Sequence, residues 1–251
     1  MAVVLPGELN IDNITFKDPR KNTVGGQSIY VNYQYNSGKS GPLIMQTPKM
    51  RMPFGLDVFE SDNGVSKYAI NVSLANDETS NANLKTFTKN IQELDIFTKK
   101  TAVAQSEAWF GKKQKADVLE EFYKSAEKKS KNDKYPSTLK LKLPMKTTGD
   151  KNVPQFDVYN ETKELINVVD DSGLDLSCIE KGGEIVAIIQ CTGIWFVGKT
   201  QFGIGWKILQ VKTFRNQKLV GYSIIDDEPE EEEEEVEEEE EVEVEIDEEC
   251  G

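Results

Sequence analysis

The chain contains no histidine. That removes His-based catalytic triads, imidazole metal sites and the one side chain whose ordinary pKa lies close to neutrality. Cysteine is almost as scarce. Cys178, Cys191 and Cys250 form no C-x-x-C pair and are too few for a structural zinc site. So sparse and odd a set of thiols fits a reducing, intracellular compartment better than a disulfide scaffold. Long apolar runs are missing as well. The best candidate, from Ile185 to Ile189, is interrupted by Gln190, well short of the ~18 residues that span a bilayer. The opening Met1-Ala2-Val3-Val4-Leu5-Pro6 has no basic region and its apolar run stops at Pro6, so no secretory signal is expected.

One further absence organises the charge. Residues 226–251 hold no Lys or Arg but 19 Asp and Glu, whereas residues 1–225 hold 30 Lys and Arg against 25 Asp and Glu. The formal charge of −14 therefore averages a mildly basic body and a polyacidic tail. Like charges repel and the tail has little to bury, so it is expected to be disordered.

What the body does contain is period-two alternation. Ile29, Val31, Tyr33 and Tyr35 fall on one face of a predicted strand. Tyr68, Ile70, Val72 and Leu74 fall on another, and Leu139, Leu141, Leu143 and Met145 on a third with Lys140 and Lys142 opposite. Such alternation marks strands with one packed and one solvated face. The run Ile185-Val186-Ala187-Ile188-Ile189 reads instead as a strand buried on both faces. Ile204 to Val211 reads as the last strand. Helical spacing occurs in one place only: Leu84, Phe87, Ile91 and Leu94, then Ala116 to about Ala126. The expectation is a β-barrel with a helical insertion over about residues 81–132, within a domain of residues 1–225, followed by the tail at 226–251.

Two catalytic readings fail on spacing. Ser37-Gly38-Lys39-Ser40-Gly41 contains Gly-Lys-Ser, but a phosphate loop needs a glycine where Tyr33 stands, and no helix pattern follows. A β-turn is expected there. Asp170 and Asp171 precede Gly173 in a turn-rich stretch and show no partner that would make them acid and base. No catalytic residue, metal site or cofactor is expected.

The cations are more informative. Between Lys99 and Lys151 there are 14 Lys against 7 Asp and Glu, interleaved with Trp109, Phe110, Tyr123 and Tyr135. Lys49 and Arg51 alternate with Met50 and Met52, and Lys199, Lys207, Lys212 and Arg215 flank Phe202, Trp206 and Phe214. Cations that track phosphates beside rings that stack bases are what a single-stranded nucleic-acid groove requires. The candidate contacts are Lys49, Arg51, Lys112, Lys113, Lys140, Lys142, Lys207 and Lys212 for phosphates, with Trp109 and Trp206 as stacking rings. A flexible polyanionic tail could occupy the same groove in competition with nucleic acid.

The blocks Pro48-Lys49-Met50-Arg51-Met52-Pro53-Phe54-Gly55 and Gln190-Cys191-Thr192-Gly193-Ile194-Trp195-Phe196, with Phe202-Gly203-Ile204-Gly205-Trp206-Lys207 and the acidic tail, carry a resemblance. The chain resembles the T-seven-like phage single-stranded-DNA-binding proteins, in a branch of large eukaryotic DNA viruses of the algal-virus and giant-virus type. The resemblance implies an OB-type barrel with an inserted helix, a non-enzymatic role in viral DNA replication and recombination, and a homodimer. It also implies a tail that docks a DNA polymerase or helicase. The phage tail ends in an aromatic residue, whereas this chain ends Glu249-Cys250-Gly251, which leaves Val242, Val244 and Ile246 as the apolar docking groups. The expected location is the host nucleus or a cytoplasmic virus factory, with packaging in the virion as a further option. The rival readings are a chaperone of histones or other basic proteins, disfavoured by the basic body, and a structural or packaging protein of the virion.

Overall fold

In the computed structural model of the chain, which describes residues 2–21, 26–60, 66–75, 81–132, 134–148, 151–170 and 173–214, the alternating segments become strands. Thr138–Leu143 buries Leu139, Leu141 and Leu143 and leaves Lys140 and Lys142 exposed, because successive strand residues point to opposite faces. Ser66–Ser73 pairs antiparallel with it, with Ile70 opposite Leu141 and Asn71 opposite Lys140.

Five strand tracts close a barrel. The first is broken into pieces: Ile44–Gln46 and Met50–Arg51 pair with Glu184–Val197, and Leu56–Glu60 then pairs with Ser66–Ser73. Ser66–Ser73 is the second and Thr138–Leu143 the third. Glu184–Val197 and Gln201–Phe214 are the fourth and fifth, an antiparallel hairpin paired almost end to end. The third and fifth meet in parallel at Lys142 and Lys207. The circuit runs first, second, third, fifth, fourth and back to the first, with one parallel contact. This is the connectivity of an OB-type barrel.

The fourth strand departs from its sequence reading. Ile185, Ala187 and Ile189 enter the core, but Val186 and Ile188 are only half-buried. A barrel strand has a single inner face, and its outer face here is partly covered rather than packed. A register shift between Cys191 and Gly193 bends the strand. Gly193 has φ +97°, and a Cβ there would fall 2.2 Å from the carbonyl oxygen of Ile29, so no side chain fits. Past this point the strand pairs with Gln27–Ile29 through Ile194 and Trp195. The Gly-Lys-Ser stretch is the expected turn. Tyr35 N–H donates to the Lys39 carbonyl at 2.9 Å, and Val31–Gln34 and Ser40–Pro42 flank the turn as a hairpin.

The helical insertion comprises α1 (Ala82–Ala104), α2 (Ser106–Phe110) and α3 (Ala116–Phe122). The side chain of Asn81 caps α1 by accepting from the Asn83 N–H at 2.8 Å. Phe87, Ile91, Leu94 and Ala102 of α1 are buried. Helix ends at Phe122, short of the expected boundary, because Glu127–Lys128 joins the sheet beside Thr138 and Leu139. Trp109, Phe110 and Tyr123 from the insertion pack edge-on against Phe202, and the first two also against Phe196. No helix among the described residues is long and apolar enough to cross a membrane. Contacts divide the chain into Met1–Asn216 and Gln217–Gly251. The acidic tail, with Val242, Val244 and Ile246, lies outside the described residues.

One buried carboxylate ties the insertion together. Asp95 of α1 accepts from the Tyr123 hydroxyl at 2.5 Å, from the Ser125 hydroxyl, and from the Ala126 N–H at 3.0 Å. Burial pushes its carboxyl above the ordinary aspartate range, against the pull of these hydrogen bonds. Its ionisation therefore opposes folding, and that opposition is absent below the unfolded pKa and grows as pH rises through the folded one. Asp95→Ala orphans the buried Tyr123 hydroxyl, while Ser125 is exposed and can turn to water. The substitution is expected to cost about 1–3 kcal/mol. Urea unfolding should show this as a lower midpoint at unchanged slope.

Candidate nucleic-acid interface

A groove of about 1050 Å³ runs beside the first and second barrel strands. One wall is the segment from Lys49 to Asp57, the other is the 128–138 hairpin, and Asn71, Ser73 and Leu74 contribute to the lining between them. Each wall has a local cause. Met52 is pinned by two backbone hydrogen bonds, its N–H to the Gly183 carbonyl at 2.8 Å and its carbonyl from the Gly182 N–H at 2.7 Å. Gly55 follows with φ +69°, where a Cβ would stand 3.0 Å from the Lys181 nitrogen. The chain turns there, and Phe54 is thrown outward, 66% exposed. On the opposite wall, side-chain turns at Ser130 and Asn132 shape the hairpin: the Asn132 N–H donates to Ser130 Oγ at 3.2 Å and the Lys134 N–H to Asn132 Oδ1 at 3.0 Å. Tyr135 emerges from this turn 67% exposed.

The groove is lined by Lys49, Arg51, Lys128, Lys129 and Lys131 against the two carboxylates Asp57 and Glu184. Lys49 Nζ lies 2.6 Å from Glu184 and 4.3 Å from the centroid of the Phe214 ring. Just beyond the groove Lys140 reaches Asp57 at 2.8 Å. Lys142 stands one alternation further along, with Lys207 as its register partner. Partial burial, together with the charges of Lys67 and Lys140, lowers the Lys142 ammonium pKa. Like charges crowded in this way are relieved by an anion.

The candidate residues sort cleanly. Lys49 and Arg51 line the groove, and Lys140 and Lys142 continue it along the outer face of the third strand. Lys207 lies beside Lys142. Lys212 is half-buried and stands over the Phe214 ring at 5.0 Å. Lys112 and Lys113 are exposed between α2 and α3 and do not line the groove. The two tryptophans are a correction. Trp109 is 2% exposed and Trp206 1% exposed, so neither has a ring face free for a base. Trp206 sits between the inward-facing Ile204 and Ile208, and Trp109 packs against Phe16, Phe196 and Phe202. Phe59 and Tyr30 are exposed elsewhere on the surface, and the accessible rings that line the groove are Phe54 and Tyr135. Cys191 is buried, and burial pushes its thiol up to about 12.

The family of unknown function DUF5871 matches residues 69–231. The chain belongs to that family. The match begins in the second barrel strand and takes in the insertion and the third, fourth and fifth strands. The uncharacterized protein L291 of Acanthamoeba polyphaga mimivirus is 26% identical over 185 residues, covering 70% of this chain and 27% of that protein. The chain thus spans about a quarter of that relative's length. Among solved structures, gp2.5, a single-stranded-DNA-binding protein encoded by bacteriophage T7, aligns with a TM-score of 0.46 at 11% identity, over 72% of this chain and 91% of its own. The single-stranded-DNA-binding protein of bacteriophage Enc34, in complex with single-stranded DNA, aligns with a TM-score of 0.44 at 16% identity, over 82% and 98%.

Exposure decides the mutational outcome. Phe54→Ala with Tyr135→Ala should weaken binding of an oligo(dT) strand about tenfold or more, at ~1–3 kcal/mol per stacked base, and leave the melting temperature nearly unchanged. Trp206→Ala should do the reverse, since removing a buried indole costs about 3–5 kcal/mol of stability. Fluorescence anisotropy and thermal unfolding of the same preparations separate the two.

Proposed function

We propose that this chain binds single-stranded DNA without sequence preference, as a non-catalytic component of viral DNA replication and recombination. The observation that supports this best is the groove itself: two exposed rings, Phe54 and Tyr135, on opposite walls lined by five cations. Rings stack on any base and cations meet any phosphate, so such a groove favours exposed bases and is indifferent to sequence. A duplex hides the base faces that the rings need.

The polyacidic segment fits the same reading through its charge. Nineteen carboxylates tethered to a body of net charge +5 compete with phosphates at high effective concentration. Val242, Val244 and Ile246 are the groups proposed to dock a polymerase or helicase, and pairing of two copies is part of the same proposal. A nucleus or virus factory is the setting in which such a protein would act.

The test is anisotropy of labelled oligo(dT) and of a duplex of equal length at about 50 and 300 mM salt, with the full chain and with a form ending at Ile225. At a slope of about 0.7 per neutralised phosphate, the four groove cations that form no ion pair among the described residues predict an affinity loss of about a hundredfold across that range. Single strands should bind more tightly than duplex, and truncation should tighten binding mainly at low salt. Equal affinity for duplex, or a loss below about tenfold, contradicts the proposal.

A further inference from the structure

The groove holds two carboxylates among its cations, and both are engaged. Glu184 Oε2 lies 2.6 Å from Lys49 Nζ, and Asp57 Oδ2 lies 2.8 Å from Lys140 Nζ. All four side chains are open to water, between 41% and 55% exposed. Their placement follows from strand register. Glu184 is the partner of Arg51 across the first and fourth strands, so it stands between two groove cations. Asp57 is the partner of Ala69, whose small side chain leaves the carboxylate clear to reach Lys140 from the neighbouring row. Neither pair is part of the core, and neither strand needs it: the hydrogen-bonded ladder and the inward leucines and isoleucines already hold these strands.

The geometry points to Asp57 and Glu184 as built-in competitors that set which anions the groove accepts. The inference rests on the single-strand reading above and names how that site discriminates. A lone phosphate that approaches Lys49 or Lys140 must displace a carboxylate and then remain beside it, like charge against like charge. A strand meets the same obstacle at two positions, but it gains elsewhere. Among the described residues Arg51, Lys128, Lys129 and Lys131 form no ion pair, and they receive phosphates without displacing anything. A strand anchored on those four reaches Lys49 and Lys140 at high effective concentration and overcomes the carboxylates there, whereas a lone phosphate is turned away from these two positions. The cost per exchange is small, because an exposed pair amounts to a factor of about two to five in an equilibrium. That size keeps the strand removable, which suits a protein that covers DNA other machinery must reach.

The sign of the prediction is unusual, since it makes two groove-lining residues detrimental to binding. Asp57→Asn and Glu184→Gln preserve shape and remove only charge. With the full-length chain and labelled oligo(dT), each should tighten binding about two- to fivefold at ~50 mM salt, and the double variant about tenfold. Each freed lysine should also steepen the log–log salt dependence by up to about 0.7. Titrated alone and read by calorimetry, inorganic phosphate should bind the double variant more tightly than the wild type, by about the two- to fivefold of a single exchange. Glu60→Gln is the control: it removes the same charge from the same strand outside the groove lining, and should change affinity less. Unchanged or weaker binding by the double variant overturns the inference, and so does an equal gain from Glu60→Gln, which would reduce the effect to net charge. A wild-type chain that ignores single strands refutes the functional reading instead. A wild type that binds them, with variants that bind no better, refutes this inference alone.

Discussion

The hairpin of Glu184–Val197 and Gln201–Phe214 is the constraint on which the rest of the barrel depends. Its two strands are register partners almost throughout, from Glu184 opposite Phe214 to Val197 opposite Gln201. Every other barrel strand attaches to this pair directly or through one neighbour. At one end it receives the insertion, where Phe196 and Phe202 stack against each other and accept the edges of Trp109 and Phe110. At the other end Glu184 and Phe214 meet Lys49, Arg51 and Lys212. Apolar burial at the far end and charge at the near end are thus two ends of one hairpin. The Gly193 bend lets a single strand serve both.

Alternation then converts core packing into surface charge. Once Leu139, Leu141 and Leu143 must face inward, Lys140 and Lys142 have no choice but to face outward, and parallel pairing brings Lys207 beside them. The barrel therefore displays cations because its interior is apolar, at no cost in packing. Desolvation first, and then the neighbouring charges of Lys67 and Lys140, lower the Lys142 pKa. Asp57 and Glu184 moderate the field near the groove without burying any charge, and so avoid the desolvation that makes buried ion pairs costly.

Much of this was legible in the residues. Period-two runs located the strand faces, the Gly-Lys-Ser turn was recognised by what it lacked, and the helical insertion stood out because helical spacing occurs once. Lys49, Arg51, Lys140 and Lys142 followed from strand phase alone. The rings proposed to stack did not. Trp206 keeps phase with Ile204 and Ile208, a pattern that fits the core as well as a stacking role, and the core reading is the one its burial bears out. Tyr135 carries the opposite signature, an aromatic beside Pro136 outside any apolar repeat, whereas Phe54 keeps phase with Met50 and Met52 and only the Pro53-Phe54-Gly55 break turns it outward. A ring without periodic partners in a turn context has no core to enter. The convergence of the two walls was beyond the sequence, because it depends on a hairpin at 128–138 packing near a strand some eighty residues earlier.

The central claim is that bases stack on Phe54 and Tyr135 within the groove. Photocrosslinking of a 5-iododeoxyuridine oligonucleotide, mapped by mass spectrometry of the digested adducts, tests it most directly, because the reaction requires a base in contact with the ring that captures it. The account predicts adducts on the peptides that carry Phe54 and Tyr135, lost in the double alanine variant, and none on those that carry Trp109 or Trp206. Adducts concentrated on the tryptophan peptides, or on the insertion around Lys112 and Lys113, would contradict it.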